Sequence, residues 1–148
     1  MQGKYDSVSA MVRMSRKGPK YYMDLQAELR AIFDNVNYGV SAVIVEGIHD
    51  ESALREAGVK SYMIQFCSSG VPNFAFVDEM VYNYKGMTVL ILLDFDKEGT
   101  RMADRMSQEL EERGVRVERT LRRKIGCILA GEGMLRIEEM HKIRDRAQ

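Results

Sequence analysis

The sequence predicts a three-layer α/β fold: four parallel strands in the order 2-1-3-4, with helices on both faces. Three observations carry that expectation. "SAVIVEG" (41–47) and "VLILLDFDKEG" (89–99) open on the unbroken aliphatic runs that form strands buried on both sides. Strand-like and helix-like segments alternate from residue 41 to residue 118, as consecutive β-α-β units require. Both runs end on acids and a glycine, Gly47 and Gly99, just before a helix. In open parallel sheets, ligands sit beyond the strand carboxyl ends, where the winding reverses. For Glu46 and Asp94 to share such a site, the first and third strands must be neighbours, which leaves the second on the far side of the first.

At 148 residues the chain is long enough to bury the core of one domain. Residues 1–20 carry Lys4, Arg13, Arg16, Lys17 and Lys20 against Asp6, are broken by Gly18-Pro19, and read as a basic, loosely docked N-terminal arm. Residues 21–39 form an N-terminal helix packing on the domain, because Tyr22, Leu25, Leu29, Ile32 and Phe33 recur at helical spacing. The α/β domain follows at 40–120. Its first strand is 41–47. A short helix at 50–58 has Asp50 as N-cap and Gly58 as terminator. A strand at 59–66 leaves through "CSSG", and Pro72 opens a helix at 71–84. The acidic strand spans 88–96, and the helix at 100–114 puts Ala103, Met106 and Leu110 on one face. A fourth strand covers 115–118. Helices at 120–130 and 134–146 make a C-terminal helical extension, 121–148.

Lys plus Arg equals Asp plus Glu at 22 each, so net charge points to no partner. The distribution is less even: Arg113, Arg116, Arg119, Arg122, Arg123 and Lys124 stand against Glu118 alone within 113–124. Cys67 and Cys127 are far apart and fit no metal or redox spacing, so they read as reduced, buried residues. No apolar segment approaches membrane-spanning length, and the N-terminus lacks the apolar stretch of a signal peptide, so the expectation is a cytoplasmic protein with no membrane partner.

The acids carry the chemistry. Like charges about 4 Å apart repel by about 4 kcal/mol at an effective dielectric of about 20. Asp94, Asp96 and Glu98 therefore need a cation among them, or a proton on one. Two residues apart, Asp94 and Asp96 project from the same side of an extended chain. Oxygen donors without His or Cys suit Mg²⁺, with Mn²⁺ as a substitute. Alternatively, Glu98 merely caps the helix that begins beside Gly99.

"VIVEGIHDE", with Glu46, Gly47 and Asp50, followed some forty residues later by "LLDFDKEG", resembles the Toprim domain shared by topoisomerases, bacterial-type primases, certain nucleases and the nuclease that matures 5S ribosomal RNA. The resemblance covers about residues 40–120 and implies the same Rossmann-like 2-1-3-4 sheet. It implies Glu46 as the general acid–base, Asp94 and Asp96 as Mg²⁺ ligands, and Glu98 as the third acid seen in some members. Many small members have lysine where this chain has Ile48; His49 is the substitute within reach, although a solvated histidine is the simpler reading. With no topoisomerase or primase domains beside it, the chain resembles the small stand-alone Toprim proteins, in organisation the ribosomal-RNA maturation nuclease above all.

Rival folds fit less well. A haloacid-dehalogenase-type phosphatase has Asp-x-Asp after its first strand and then threonine, where this chain has Glu98. A phosphate-receiver domain needs a fifth strand with lysine. The expected function is Mg²⁺-dependent phosphodiester cleavage or phosphoryl transfer on nucleic acid, with RNA favoured and a protein or ribonucleoprotein partner presenting the substrate. The alternative is a Toprim-fold binding or assembly module with little turnover. Arg119, Arg122, Arg123 and Lys124 are the candidates for phosphate contacts. Ser68, Ser69 and Gly70 could donate to a phosphate, although a plain turn is simpler. His141 belongs on an exposed helical face.

Overall fold

The computed structural model of the protein describes residues 17–67 and 73–148. Most of the N-terminal arm, the Ser68-Ser69-Gly70 loop and Pro72 lie outside them. The elements run α1 (Pro19–Gly39), β1 (Ala42–Val45), α2 (Ile48–Ala57), β2 (Met63–Gln65), α3 (Asn73–Tyr84), β3 (Thr88–Leu92), α4 (Lys97–Glu112), β4 (Arg116–Val117) and α5 (Thr120–Gly131). A 3₁₀ turn (Ile137–Met140) and α6 (His141–Arg146) complete the described chain.

All four strands are parallel, in the order β2-β1-β3-β4. Alternate strand residues feed two apolar layers. Val43, Val45, Leu90 and Leu92 meet Leu29, Phe33, Leu54, Ile125, Leu129, Ile137 and Ile143 on one face. Ala42, Ile44, Val89, Ile91 and Leu93 meet Phe76, Val77, Met80, Ala103, Met106 and Leu110 on the other. Helices thus cover both faces, and residues after 120 supply part of the first layer. The predicted inner faces of α1 and α4 are the observed ones, with Leu25 half-buried at the edge of its cluster.

Several boundaries differ from expectation, each for a local reason. Gly18-Pro19 starts α1 instead of interrupting the chain, because proline suits a first turn where its missing N–H is not needed. The strand expected from residue 59 begins at Met63: Asn37 Oδ1 accepts from the Lys60 and Ser61 amides, and Arg55 donates to the Val59 and Ser61 carbonyls. Side chains there replace a sheet ladder. Gly58, at φ 108°, ends α2 in the left-handed conformation expected of it. β3 stops at Leu92, short of Asp96, and the C-terminal helix predicted over 134–146 is a 3₁₀ turn running into α6. Cys67 and Cys127 are exposed, contrary to expectation. Cys67 lies just past the end of β2, and Cys127 faces away from the core into which Ile125 and Leu129 point. No helix among the described residues is long and apolar enough to cross a membrane.

Candidate metal and nucleic-acid site

Register places the site. Val45 pairs with Leu92 at the carboxyl ends of the two central strands, so the chain continues side by side into Glu46-Gly47 and Leu93-Asp94. A cleft of about 590 Å³ opens there, lined by Glu46, Gly47, His49 and Asp50 from one strand exit and by Asp94, Asp96, Glu98 and Gly99 from the other. Every acid and glycine singled out from the two motifs, and His49 with them, comes to this one cleft.

The acids are held differently from one another. Glu46 is exposed as a residue, but the cleft walls partly desolvate its carboxyl; that desolvation pushes its pKa up, the charges of Asp94, Asp96 and Glu98 add to the rise, and Arg136 opposes it. Asp94 accepts the Ile137 N–H on Oδ1 at 2.9 Å. Burial raises its pKa as well, with the Ile137 amide working against the shift. Asp96 is the N-cap of α4: its Oδ1 accepts the Gly99 N–H at 2.7 Å, closing the first turn. The cap that sequence offered to Glu98 therefore belongs to Asp96, and α4 starts three residues earlier than predicted. A bend at Phe95 and Asp96, not an extended strand, brings the two aspartates to the cleft.

Asp50 is the third residue of α2 and not its N-cap, which is Gly47. Its carboxylate reaches back to the Gly47 N–H at 3.3 Å, the reciprocal half of a capping box. It is 7% exposed, and burial first, with the Asp94 charge second, pushes its pKa up to about 6. His49 is exposed in the first turn of α2. Gly99 has a steric reason to be glycine: a Cβ there would lie 2.2 Å from the Asp94 carbonyl oxygen. At Gly47 a Cβ would meet nothing within 4 Å, so a side chain there would occupy the cleft and not the protein.

Sequence reasoning missed three contributors. Arg136 and Glu138 line the same cleft from the segment between α5 and α6. Phe95 N–H donates to the Leu135 carbonyl at 2.6 Å, so this segment is sewn to the acidic turn on both sides of Arg136. The third is the true role of Arg122. Its guanidinium donates to the carbonyls of Ile91, Leu93 and Asp94 and stacks 4.4 Å from the Phe95 ring centroid. Phosphate contact was the wrong expectation for it, because those carbonyls leave the end of β3 without enough ladder partners and a buried acceptor demands a donor. Gly126 lets α5 close on Phe95, since a Cβ there would come within 2.7 Å of the ring. Of the other basic candidates, Arg119 pairs with Glu111 at 3.0 Å, while Arg123 and Lys124 are exposed with no ion pair among the described residues.

The donor set fits a hard divalent cation. Carboxylates far outnumber the other ligand types lining the cleft, His49 and Cys67; Asp94 and Asp96 each keep one oxygen beyond the backbone amide they bind, and Glu98 accepts no hydrogen bond among the described residues. No three His, Cys, Asp or Glu side chains among the described residues close into a tight cage. Mg²⁺ does not ask for one: it binds through one or two carboxylates and keeps waters for substrate phosphates.

Comparison with known proteins agrees with this geometry. A family model described as Toprim-like matches residues 43–125. A UPF0292 protein of Pyrococcus horikoshii is 29% identical over 122 residues, covering 82% of this chain and 88% of its own. Its counterpart in Pyrococcus abyssi is 31% identical over 76% of this chain and 81% of its own. One from Thermococcus gammatolerans is 33% identical over 68% and 71%. A solved structure of a protein from Aquifex aeolicus superposes with a TM-score of 0.55 over 79% of this chain and 95% of that one, at 24% identity, and so shows the fold alone. Toprim domains bind Mg²⁺ through acidic residues and serve nucleic-acid chemistry, in nucleases, primases and topoisomerases. With the match spanning more than half of its length and both acidic strand exits inside it, this chain belongs to the Toprim-like family.

Proposed function

We propose that the protein is a Mg²⁺-dependent enzyme that cleaves or transfers phosphodiester bonds in nucleic acid, most readily RNA, with Mn²⁺ able to replace Mg²⁺. One observation supports this above others: Glu46 from one central strand exit and Asp94, Asp96 and Glu98 from the other face a single open cleft at the point where the winding reverses. When bound, the metal supplies Lewis-acid polarisation of a phosphoryl oxygen and charge for the leaving oxygen. Asp94, Asp96 and Glu98 are the residues to hold it.

Glu46 does the proton work. A carboxyl whose pKa is raised holds a proton more readily than a free glutamate, the direction that suits exchange with the attacking or leaving oxygen. The Ile137 amide and the α4 cap fix the rotamers of Asp94 and Asp96, so neither must be ordered when substrate arrives. Arg123 and Lys124, exposed in the first turns of α5 beside the Arg122 that grips the acidic turn, are the further candidates to meet the backbone of a bound strand.

A second reading, a nucleic-acid-binding or assembly module with little turnover, draws on the lack of a closed three-donor cage among the described residues. Cleavage of a panel of structured RNAs and DNAs in Mg²⁺ separates the two. Turnover that needs metal, is abolished in Glu46→Gln with metal affinity kept within a few-fold, and is lost together with metal affinity in Asp94→Asn supports the enzyme. Binding without cleavage by the wild type supports the module. Equal loss of metal affinity in both variants would take the acid–base role away from Glu46.

A further inference from the structure

Arg136 is pinned by its neighbours. The Leu135 carbonyl accepts the Phe95 N–H at 2.6 Å, and the Ile137 N–H donates to Asp94 Oδ1 at 2.9 Å. The residue between these anchors cannot leave the cleft wall, yet its side chain is 61% exposed. Its ion pair with Glu138 is long, at 3.9 Å, and solvated on both sides, so it holds the guanidinium only weakly. The cleft meanwhile gathers Glu46, Asp50, Asp94, Asp96, Glu98 and Glu138. With all six ionised, even two divalent cations would leave it negative, and a phosphodiester carries a further negative charge. Some protein cation has to face the incoming phosphate, and Arg122 is already committed to backbone carbonyls.

We propose, resting on the metal-dependent reading above, that Arg136 is the substrate-phosphate ligand of this site. Its guanidinium leaves Glu138 and donates two charge-assisted hydrogen bonds to a non-bridging oxygen pair of a nucleic-acid phosphodiester. The planar fork matches that geometry, which an ammonium does not. Being a cation, Arg136 serves the substrate and not the metal, and the two functions are separable by measurement.

Full-length wild type, Arg136→Ala and Arg136→Lys are compared in two assays, after thermal melts establish that each is folded. Fluorescence anisotropy reads binding of a labelled single-stranded RNA, and in a parallel arm its DNA counterpart, with Ca²⁺ replacing Mg²⁺ to suppress turnover. Calorimetry reads Mn²⁺ binding without nucleic acid. The expected result is that Arg136→Ala binds the oligonucleotide about 10- to 100-fold more weakly. Its log–log salt slope should fall by about 0.7. Arg136→Lys recovers part of the affinity, and Mn²⁺ affinity is unchanged or higher in both. The arm with the larger loss identifies RNA or DNA as the source of the phosphate. Equal oligonucleotide affinity in wild type and Arg136→Ala, with Mn²⁺ binding intact, overturns the assignment and leaves the metal site standing. Loss of Mn²⁺ binding in Arg136→Ala overturns it too, making Arg136 a support for the acids. A wild type that binds no Mn²⁺ overturns the reading on which the assignment rests.

Discussion

Replacing Asp50 with asparagine should stabilise the protein at neutral pH and not at acidic pH. The carboxyl of Asp50 is 7% exposed, and burial and the nearby Asp94 charge lift its pKa from 3.8 to about 6. A carboxyl whose folded pKa lies above its unfolded value binds protons more tightly in the native state. Its contribution is therefore fully present below about pH 4 and is lost as pH rises through about 6. The full displacement corresponds to about 3 kcal/mol. Because Asp50 borders an open cleft, solvent screening reduces this to about 1–2 kcal/mol. Asparagine keeps an oxygen for the Gly47 N–H, so the cap survives while the charge does not. Urea denaturation in chelator at steps from pH 3.5 to 7 should show Asp50→Asn gaining on wild type by that amount, with most of the gain between about pH 4 and 6. Near pH 7.5 the melting temperature should rise by about 2–8 °C. A difference between the two proteins that stays flat across the window would mean that Asp50 titrates as a solvated carboxyl, and the electrostatic account of the cleft would fail with it.

Asp94 and Asp96 make the same argument for metal. With a dissociation constant of about 1 mM, about 10 mM Mg²⁺ should stabilise the wild type by about 1.4 kcal/mol, or about 3–6 °C, at matched ionic strength. The Asp94→Asn, Asp96→Asn double variant should melt higher than wild type in chelator and respond little to Mg²⁺; a lower melt there would make the acids helix caps and nothing more. Gly99→Ala should destabilise by at least about 1–3 kcal/mol, because the Asp94 backbone must move to admit the Cβ. Calorimetry should show its Mg²⁺ response lost as well, and a near-neutral melt would contradict the close approach. Changing Arg119, Arg123 and Lys124 together to alanine should flatten the salt dependence of duplex binding by up to about 0.9 in log–log slope for each phosphate contact removed. An unchanged slope would make α5 a purely structural helix.

The sheet order was legible because two acid-bearing strand exits that must share a ligand can do so only as neighbours. That argument needs no knowledge of packing, and β1 and β3 are indeed paired from Ala42–Val89 to Val45–Leu92. Glu46, Asp94 and Asp96 were legible for the same reason. The end of β3 was not. Alternating acids after an apolar run look extended in sequence, and only the long-range bond from Phe95 to Leu135 shows why the ladder stops at Leu92. Arg122 misled because helical periodicity assigns a face to a residue without showing what acceptors lie under it. Arg136 and Ile137 carried no local signal at all: the bond from Ile137 to Asp94 spans 43 residues, and nothing in "GMLRIEEM" (133–140) marks it as part of an acidic cleft.

Those same distant residues explain how the acids persist side by side. α2 and α4 both begin at the cleft, and each N-terminus presents about half a positive charge together with amides that have no helical partner. Gly47 and Gly99 spend their amides on Asp50 and Asp96, and Ile137 spends its own on Asp94. Each of these bonds satisfies one oxygen and orients its carboxylate. None removes the charge. The raised pKa values of Glu46, Asp50 and Asp94 come from burial first and from the neighbouring carboxylates after it, and the Gly47 and Ile137 amides offset only part of the rise at Asp50 and Asp94. A strong internal ion pair would have neutralised the acids outright, but it would also have left a metal nothing to bind. Holding the carboxylates by neutral amides keeps their geometry fixed and their charge available, the combination a site needs if a divalent cation is to enter with its substrate and leave with the product.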